Sequence, residues 1–455
     1  MMLLLMITTV LQAQTYSGGD GSKDLPYLIS SKADMAALAT AVNGGNQYTG
    51  KYFLLTTDLT GITSVIGNGT YQFRGIFDGD ENSIEINITT SNASCSGVFG
   101  EIYDATVKNL IVKGQITALG LYSGGVCGYA YNSSIINCHS SVNISTNSQW
   151  TGGICGQVSS SNCTITNCSN KGNISISNYI AGGICGQAGN GVSITDCYNT
   201  GNISANGGSG GSAYAGGICA RGGTTTLTNS VEIVNCYNTG NISSASSGSY
   251  ANYSGGICGD YSKKVFNCFT ANSTIDCTGS GTKLAGRILG GNGTVTNCYA
   301  LSSILVNDVA INSTNANSKD GKDVDDIAPF QSQEWIENNI QWDFDDVWKM
   351  SDVNSIFNGL PIFKSQEDIP TGNVGVISVQ TDAISIYPNP ANQYLYINSD
   401  ISIKGVELYN VTGNLVLNKT NDVNNINVIS LIDGIYYLQI HTDNKTIVKK
   451  VVIKK

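Results

Sequence analysis

At 455 residues the chain exceeds the roughly 250–300 residues at which one hydrophobic core stops growing, so it must divide into units or repeats. Charged residues make up 12% and apolar residues 41%, a balance that excludes charge-driven disorder and also excludes a coiled coil. The net charge of −10 leaves no basic footprint, which removes nucleic acid as a partner.

Residues 1–13 read as a signal peptide: Met1 to Val10 is apolar and Ala13 supplies the small residue before a cut. That run has no basic flank and is too short to cross a bilayer, and no later segment reads as a transmembrane anchor. Residues 14–50 form an N-terminal cap. Within it, 31–42 reads as a short helix, with Ser31 as N-cap, Asp34 three residues on, and Met35, Leu38 and Val42 on one face.

Residues 51–305 repeat. SGVFG ends at Gly100, and GGVCG, GGICG and their relatives end at Gly128, Gly156, Gly186, Ala220, Gly259 and Gly290, spaced 28 to 39 residues apart. A second landmark, Asn-Cys, recurs at 137–138, 167–168, 235–236, 267–268 and 297–298, with Asp196 replacing the asparagine before Cys197. A third, GNIS, stands at 172–175, 201–204 and 240–243. Between landmarks the residues are short, β-branched and alternating, with no 3.6-residue period, so each unit is a set of brief strands joined by turns. Insertions such as 206–212 and 244–249 leave the landmarks in phase, as a solenoid tolerates.

The expected fold is all-β: a parallel β-helix of about three strands per coil, followed by a small C-terminal β-sandwich. The repeat positions are Gly125, Gly153, Gly183, Gly217 and Gly256, then Cys127, Cys155, Cys185, Cys219 and Cys258, then Asn137, Asn167, Asn235, Asn267 and Asn297. The glycines are expected to turn corners with φ > 0 and to let coils approach closely. The Ile or Val after them points into the core, and the asparagines stack as an amide ladder that Asp196 interrupts. The cysteines are expected as stacked buried thiols, with a disulfide across a corner of one coil as the alternative.

These repeats resemble the GLUG motif family over 49–364, including the lead-in FRGIFDGDENSIEI at 73–86 and the closing WDFDDVWKM at 342–350. The resemblance implies a scaffold found in bacterial surface and adhesin-like proteins and as accessory repeats in some secreted peptidases. Residues 306–364 then close the solenoid.

Residues 365–382, with Pro370, Gly372 and Gly375, read as a linker, and from 383 to 455 the alternation becomes regular. The tail carries Tyr387, Pro388, Asn389 and Pro390, the hairpin LYNVTGNLV around Gly413, and LIDGIYYLQI around Gly434. It closely resembles the type A C-terminal sorting domain of the type IX secretion system of Bacteroidetes. That resemblance implies export through the inner membrane by the N-terminal signal. Residues 383–455 would then engage the type IX machinery at the outer membrane, after which the tail is normally removed and the cargo anchored or released.

For catalysis the chain offers little. Between Cys95 and Cys298 the acidic residues are Glu101, Asp104, Asp196, Glu232, Asp260 and Asp276, of which only Glu101 and Asp104 lie close. His139 and His441 are the only histidines, and His139 reads as a surface ladder residue. Asp320, Asp323, Asp325 and Asp326, and later Asp343, Asp345 and Asp346, read as solvated acidic faces with Ca²⁺ ligation as the alternative. No catalytic, metal or cofactor residue is therefore assigned. Two aromatic stripes, Tyr198, Tyr237, Phe269 and Tyr299, and Tyr122, Tyr179, Tyr214 and Tyr253, could meet sugar rings or pack under a loop. The expected protein is an exported adhesin-like binder of an unidentified surface ligand, glycan or protein. The alternative is a polysaccharide lyase or hydrolase on the same scaffold.

Overall fold

Strands this short cannot bury a face alone, so they stack coil upon coil. The computed structural model describes residues 16–89, 94–117, 120–160, 162–223, 231–368, 384–387, 391–399, 403–410, 415–420, 423–442 and 446–454. The signal peptide, most of the linker, Pro388, Asn389, Pro390 and Gly413 lie outside them. Two compact units form: the chain to Val353 with Phe357–Glu367, and Asp368–Lys455 with Asn354–Ile356.

In the first unit a representative coil contributes Ile180–Gly182, Cys185–Ala188, Ser193–Thr195, Tyr198–Asn199 and Ile203–Asn206. Five short strands replace the three expected, because every glycine or asparagine bend breaks a run. Each pairs in parallel with its equivalents one coil away: Ser193–Thr195 lies between Thr164–Thr166 and Val231–Val234. The longest regular ladder has ten strands. Its nine steps of about 4.8 Å span roughly 43 Å.

The corner chemistry differs from expectation. None of Gly125, Gly153, Gly183, Gly217 and Gly256 adopts left-handed φ. The left-handed residues are the asparagines before cysteine: Asn137 at 51°, Asn167 at 55°, Asn235 at 54°, Asn267 at 55°, Asn297 at 52°, with Asp196 at 51°. Asn and Asp are the side-chain-bearing residues that best tolerate αL. The glycines serve closeness instead. A Cβ on Gly183 would stand 2.0 Å from the Gly217 carbonyl oxygen and 2.5 Å from Asn199 Cγ.

That second contact exposes a column the sequence reading did not anticipate. Asn170, Asn199 and Asn238, two residues past the Asn-Cys cysteine, are wholly buried. Asn170 Nδ2 donates to Asn199 Oδ1, and Asn199 Nδ2 to Asn238 Oδ1, both at 2.8 Å. Each also donates to the carbonyl of Gly172, Gly201 or Gly240 at 2.8 Å. Fully satisfied buried amides fix register strongly, since an unmet one costs about 1–3 kcal/mol.

The expected ladder at the asparagines before cysteine exists in segments. Asn137 Nδ2 donates to Asn109 Oδ1 at 2.9 Å, Asn235 Nδ2 to Asp196 Oδ1 at 3.1 Å, and Asn297 Nδ2 to Asn267 Oδ1 at 2.7 Å. The Oδ1 of Asn167, one coil before Asp196, is buried without a donor. Burial raises the Asp196 carboxyl above its usual range, against the hydrogen bonds from Asn235 and Trp348. Replacing Asp196 with Asn supplies a donor toward Asn167 and removes a desolvated charge. Asp196→Asn is expected to add about 1 kcal/mol of stability at pH 7. A raised carboxyl destabilises the fold only when ionised, so the gain should shrink below pH 4, where both states are protonated. Urea titrations at both pH values check this, and a loss at pH 7 would contradict it.

The cysteines also form columns. Cys127, Cys155, Cys185, Cys219 and Cys258 are successive register partners. All fourteen cysteines are buried and free. Four thiols of this column donate to the carbonyl two residues on: Cys127 to Tyr129 at 3.1 Å, Cys155 to Gln157 at 3.3 Å, Cys219 to Arg221 at 3.4 Å and Cys258 to Asp260 at 3.5 Å. Burial pushes the thiols of Cys138, Cys155, Cys185 and Cys236 well up, so they stay protonated. Val126, Ile154, Ile184, Ile218 and Ile257 fill the interior beside them with no exposure.

At the N-terminal end the helix Lys32–Asn43 starts where Ser31 accepts from the Asp34 N–H, and Met35, Leu38 and Val42 join the core of the first coils. At the other end Arg287 occupies the second-glycine position of the decayed repeat and is completely buried. It pairs with Asp323 and donates to the carbonyls of Asp320 and Leu301 at 3.1 and 3.2 Å. Residues 306–364 do more than close an end: Phe330, Ile336, Ile340, Trp342, Trp348 and Phe363 pack along the flank against Tyr198, Tyr237, Phe269 and Tyr299.

Among the described residues the second unit has seven strands in sheets of three and four, with Leu395, Ile397, Val406, Leu408, Leu438 and Ile440 buried in its core. Tyr387 ends the first strand, opposite Tyr396, and Gly434 opens the strand Gly434–Thr442, opposite Ile453.

Candidate binding face

Parity along two neighbouring strands of each coil sends one column of side chains outward from each. The strand before the glycine pair presents Tyr122, Trp150, Ile180, Tyr214 and Tyr253 in register. Tyr179 is therefore one position off the expected stripe; Ile180 holds its place and Trp150 joins it. The rings stack on each other, Tyr122 with Trp150 at 5.1 Å and Tyr214 with Tyr253 at 4.6 Å between centroids. Stacking within the column occupies the ring faces, so edges and hydroxyls are what a ligand would meet.

The strand after the pair presents Glu101, Tyr129, Gln157, Gln187, Arg221 and Asp260, each two residues past the landmark Phe or Cys. This polar column was not read from the sequence. Residues at one offset from each landmark share a face, but alternation counted from the buried cysteine would send this column inward, so the sequence pattern hid it. The columns touch, since Trp150 Nε1 donates to Gln187 Oε1 and Tyr129 lies 5.2 Å from Tyr122. The Arg221 guanidinium lies over Tyr214 at 5.1 Å and Tyr261 at 5.6 Å.

The expected second stripe is covered. Tyr198, Tyr237 and Phe269 are wholly buried under the closing segment, with Tyr237 donating to the Pro361 carbonyl at 2.8 Å. His139 belongs to the same flank and is partly covered: its ring stacks on Phe363 at 5.3 Å and its Nδ1 lies 3.0 Å from Ser169 Oγ. Burial holds its imidazole low, at about 4, and the Lys171 ammonium adds to the shift. It is neutral at pH 7.

Glu101 and Asp104 have partners of their own. Glu101 accepts from Cys95 Sγ and Gln72 Nε2, both at 3.3 Å, and Asp104 pairs with Arg74 at 3.1 Å and accepts from Asn132. Asp323 serves Arg287 and the Ser313 N–H, so it does not stand free as part of a solvated acidic face. Among the described residues no three His, Cys, Asp or Glu side chains are grouped to hold a metal. On the GNIS side, two shallow grooves of about 450 and 250 Å³ are lined by hydroxyl and amide groups such as Ser175, Ser204, Asn173 and Asn202.

Fold and surface together define a β-solenoid with a long regular outer face, followed by a small β-sandwich. The GLUG motif matches residues 120–145, and the secretion system C-terminal sorting domain matches residues 385–454. The chain thus carries a GLUG repeat and a type IX sorting domain. No curated protein matches it. A Bacteroides ovatus protein whose 1.30 Å crystal structure is provisionally described as an immunoglobulin A1 protease is 21% identical, with a TM-score of 0.48, over 78% of this chain and 96% of its own. A second structure, described as IgA1 Protease, is 16% identical with a TM-score of 0.31, over 57% of this chain and 23% of its own. No helix among the described residues is long and apolar enough to cross a membrane.

Proposed function

We propose that the chain is an adhesin-like binding protein, exported by type IX secretion and displayed at the outer surface or released. Its sorting domain at 385–454 supports the route. The observation that carries the binding role is the pair of neighbouring columns, aromatic and polar, that runs from Tyr122 to Tyr253, with Ile180 buried midway, and from Glu101 to Arg221. Such a face offers repeated edge, amide and hydroxyl contacts to an extended ligand. The carboxylates best placed for acid–base work, Glu101 and Asp104, are engaged in structural bonds, which favours binding over turnover.

Removing residues 384–455 is expected to leave the protein in the periplasm, detected by fractionation and by loss of antibody labelling on intact cells. Undiminished surface labelling would refute the sorting role. A reducing-end release assay addresses the enzymatic alternative: turnover lost in Glu101→Gln would replace the binding reading.

A further inference from the structure

Arg221 is anomalous. Its side chain is half-buried, its Nε is buried without a partner, and its guanidinium has no hydrogen bond or ion pair among the described residues. The obvious counterion, Asp260, is its register partner on the next strand and feels its charge, but gives its hydrogen bonds to another residue. Asp260 is fully buried, with Oδ1 accepting from the Asn292 N–H at 2.6 Å and from Asn292 Nδ2 at 3.2 Å. Its Oδ2 is buried and also unpartnered. A cation bracketed by the rings of Tyr214 and Tyr261, without an acceptor, is a donor fork awaiting one.

We propose that Arg221 is the anion-recognising centre of a saccharide site on this face, taking the carboxylate of a sugar acid. A planar guanidinium matches a carboxylate through two parallel hydrogen bonds. Gln187, the register partner on the preceding strand, has its Oε1 taken by Trp150, which leaves its amide N–H groups to donate to neighbouring sugar hydroxyls. The edges and hydroxyls of Tyr214 and Tyr253 line the other side. A peptide fits less well: both strands already pair on each side, so no sheet edge is open for strand addition, and recognition must come from side chains. This inference deepens the binding reading and rests on it.

The test titrates the purified full chain with 3′-sialyllactose against lactose, and with hexameric hyaluronan against chitohexaose, by calorimetry. At least one acidic glycan should bind at least tenfold more tightly than its neutral counterpart. Arg221→Gln should remove at least tenfold of that affinity, and Arg221→Lys should restore only part. Because the Arg221 charge offsets part of the burial that raises the Asp260 carboxyl, the Arg221→Gln midpoint should fall modestly, and binding is compared below both midpoints, where wild type and variant are folded. Equal binding by wild type and Arg221→Gln, or no binding of either acidic glycan, would overturn the proposal. Hexaglutamate bound with the same Arg221 dependence, and no glycan bound, would replace the sugar with an acidic peptide. Neutral glycans bound without Arg221 dependence would sink this site and leave the binding role standing. Undiminished surface labelling after removal of residues 384–455 would refute the sorting route and leave this site standing.

Discussion

Gly183→Ala is expected to destabilise the solenoid by about 3 kcal/mol or more, because overpacking against backbone cannot be relieved by a rotamer change. The added methyl would meet the Gly217 oxygen at 2.0 Å, and only separation of the two coils removes that contact. The equivalent methyl on Gly153 would meet the Gly183 oxygen at 2.2 Å and Asn170 Cγ at 2.3 Å, so Gly153→Ala should behave alike. The buried amide column makes a graded companion. At Gly125 the facing residue is Ser140, so a serine already fills this corner in one coil. Asn199→Ser should therefore cost less than Asn199→Leu, which takes from Asn170 one of its two acceptors and from the Gly201 carbonyl the Asn199 donor. Guanidinium melts followed by circular dichroism measure all four. Tolerance of alanine at both glycines would mean the coils are not in contact there.

Arg287→Ala carries the second large effect. Breaking a buried pair by deleting one partner typically costs about 3–5 kcal/mol, since the other charge stays desolvated. Here Asp323 is 22% exposed, which places the loss toward the lower end. Because each coil contacts only its neighbours, the damage should stay local. Hydrogen exchange should accelerate across Lys283–Gly286 and Lys322–Val324, while Ser134–Ile136 keeps its protection. Arg287→Met combined with Asp323→Asn should recover part of the loss. Uniform acceleration along the solenoid would contradict this end-locking role.

The repeat, its period and its inward residues were legible because glycine, cysteine and β-branched residues recur at fixed offsets. The division of labour at corners was misread. Glycine and asparagine both mark bends, and spacing alone does not say which residue takes left-handed φ and which permits close approach. Trp150 escapes notice because it breaks the tyrosine type of its column, and Arg221 because its column of Glu, Tyr, Gln, Arg and Asp shares no residue type. The fate of Tyr198, Tyr237 and His139 was out of reach for another reason. Their covering residues, Trp348, Pro361 and Phe363, stand more than a hundred positions away, where periodicity carries no information.

The claim beneath all of this is that equivalent residues of successive coils stand in straight columns one strand spacing apart. Ile136, Thr166, Thr195, Val234, Phe266 and Thr296 form one outward column in continuous register. Spin labels introduced through unnatural residues at 136 and 296, and at 166 and 296, read it directly by pulsed electron resonance. Five and four steps predict separations of about 24 and 19 Å. Distances that do not fall by about one strand spacing per coil would contradict the account.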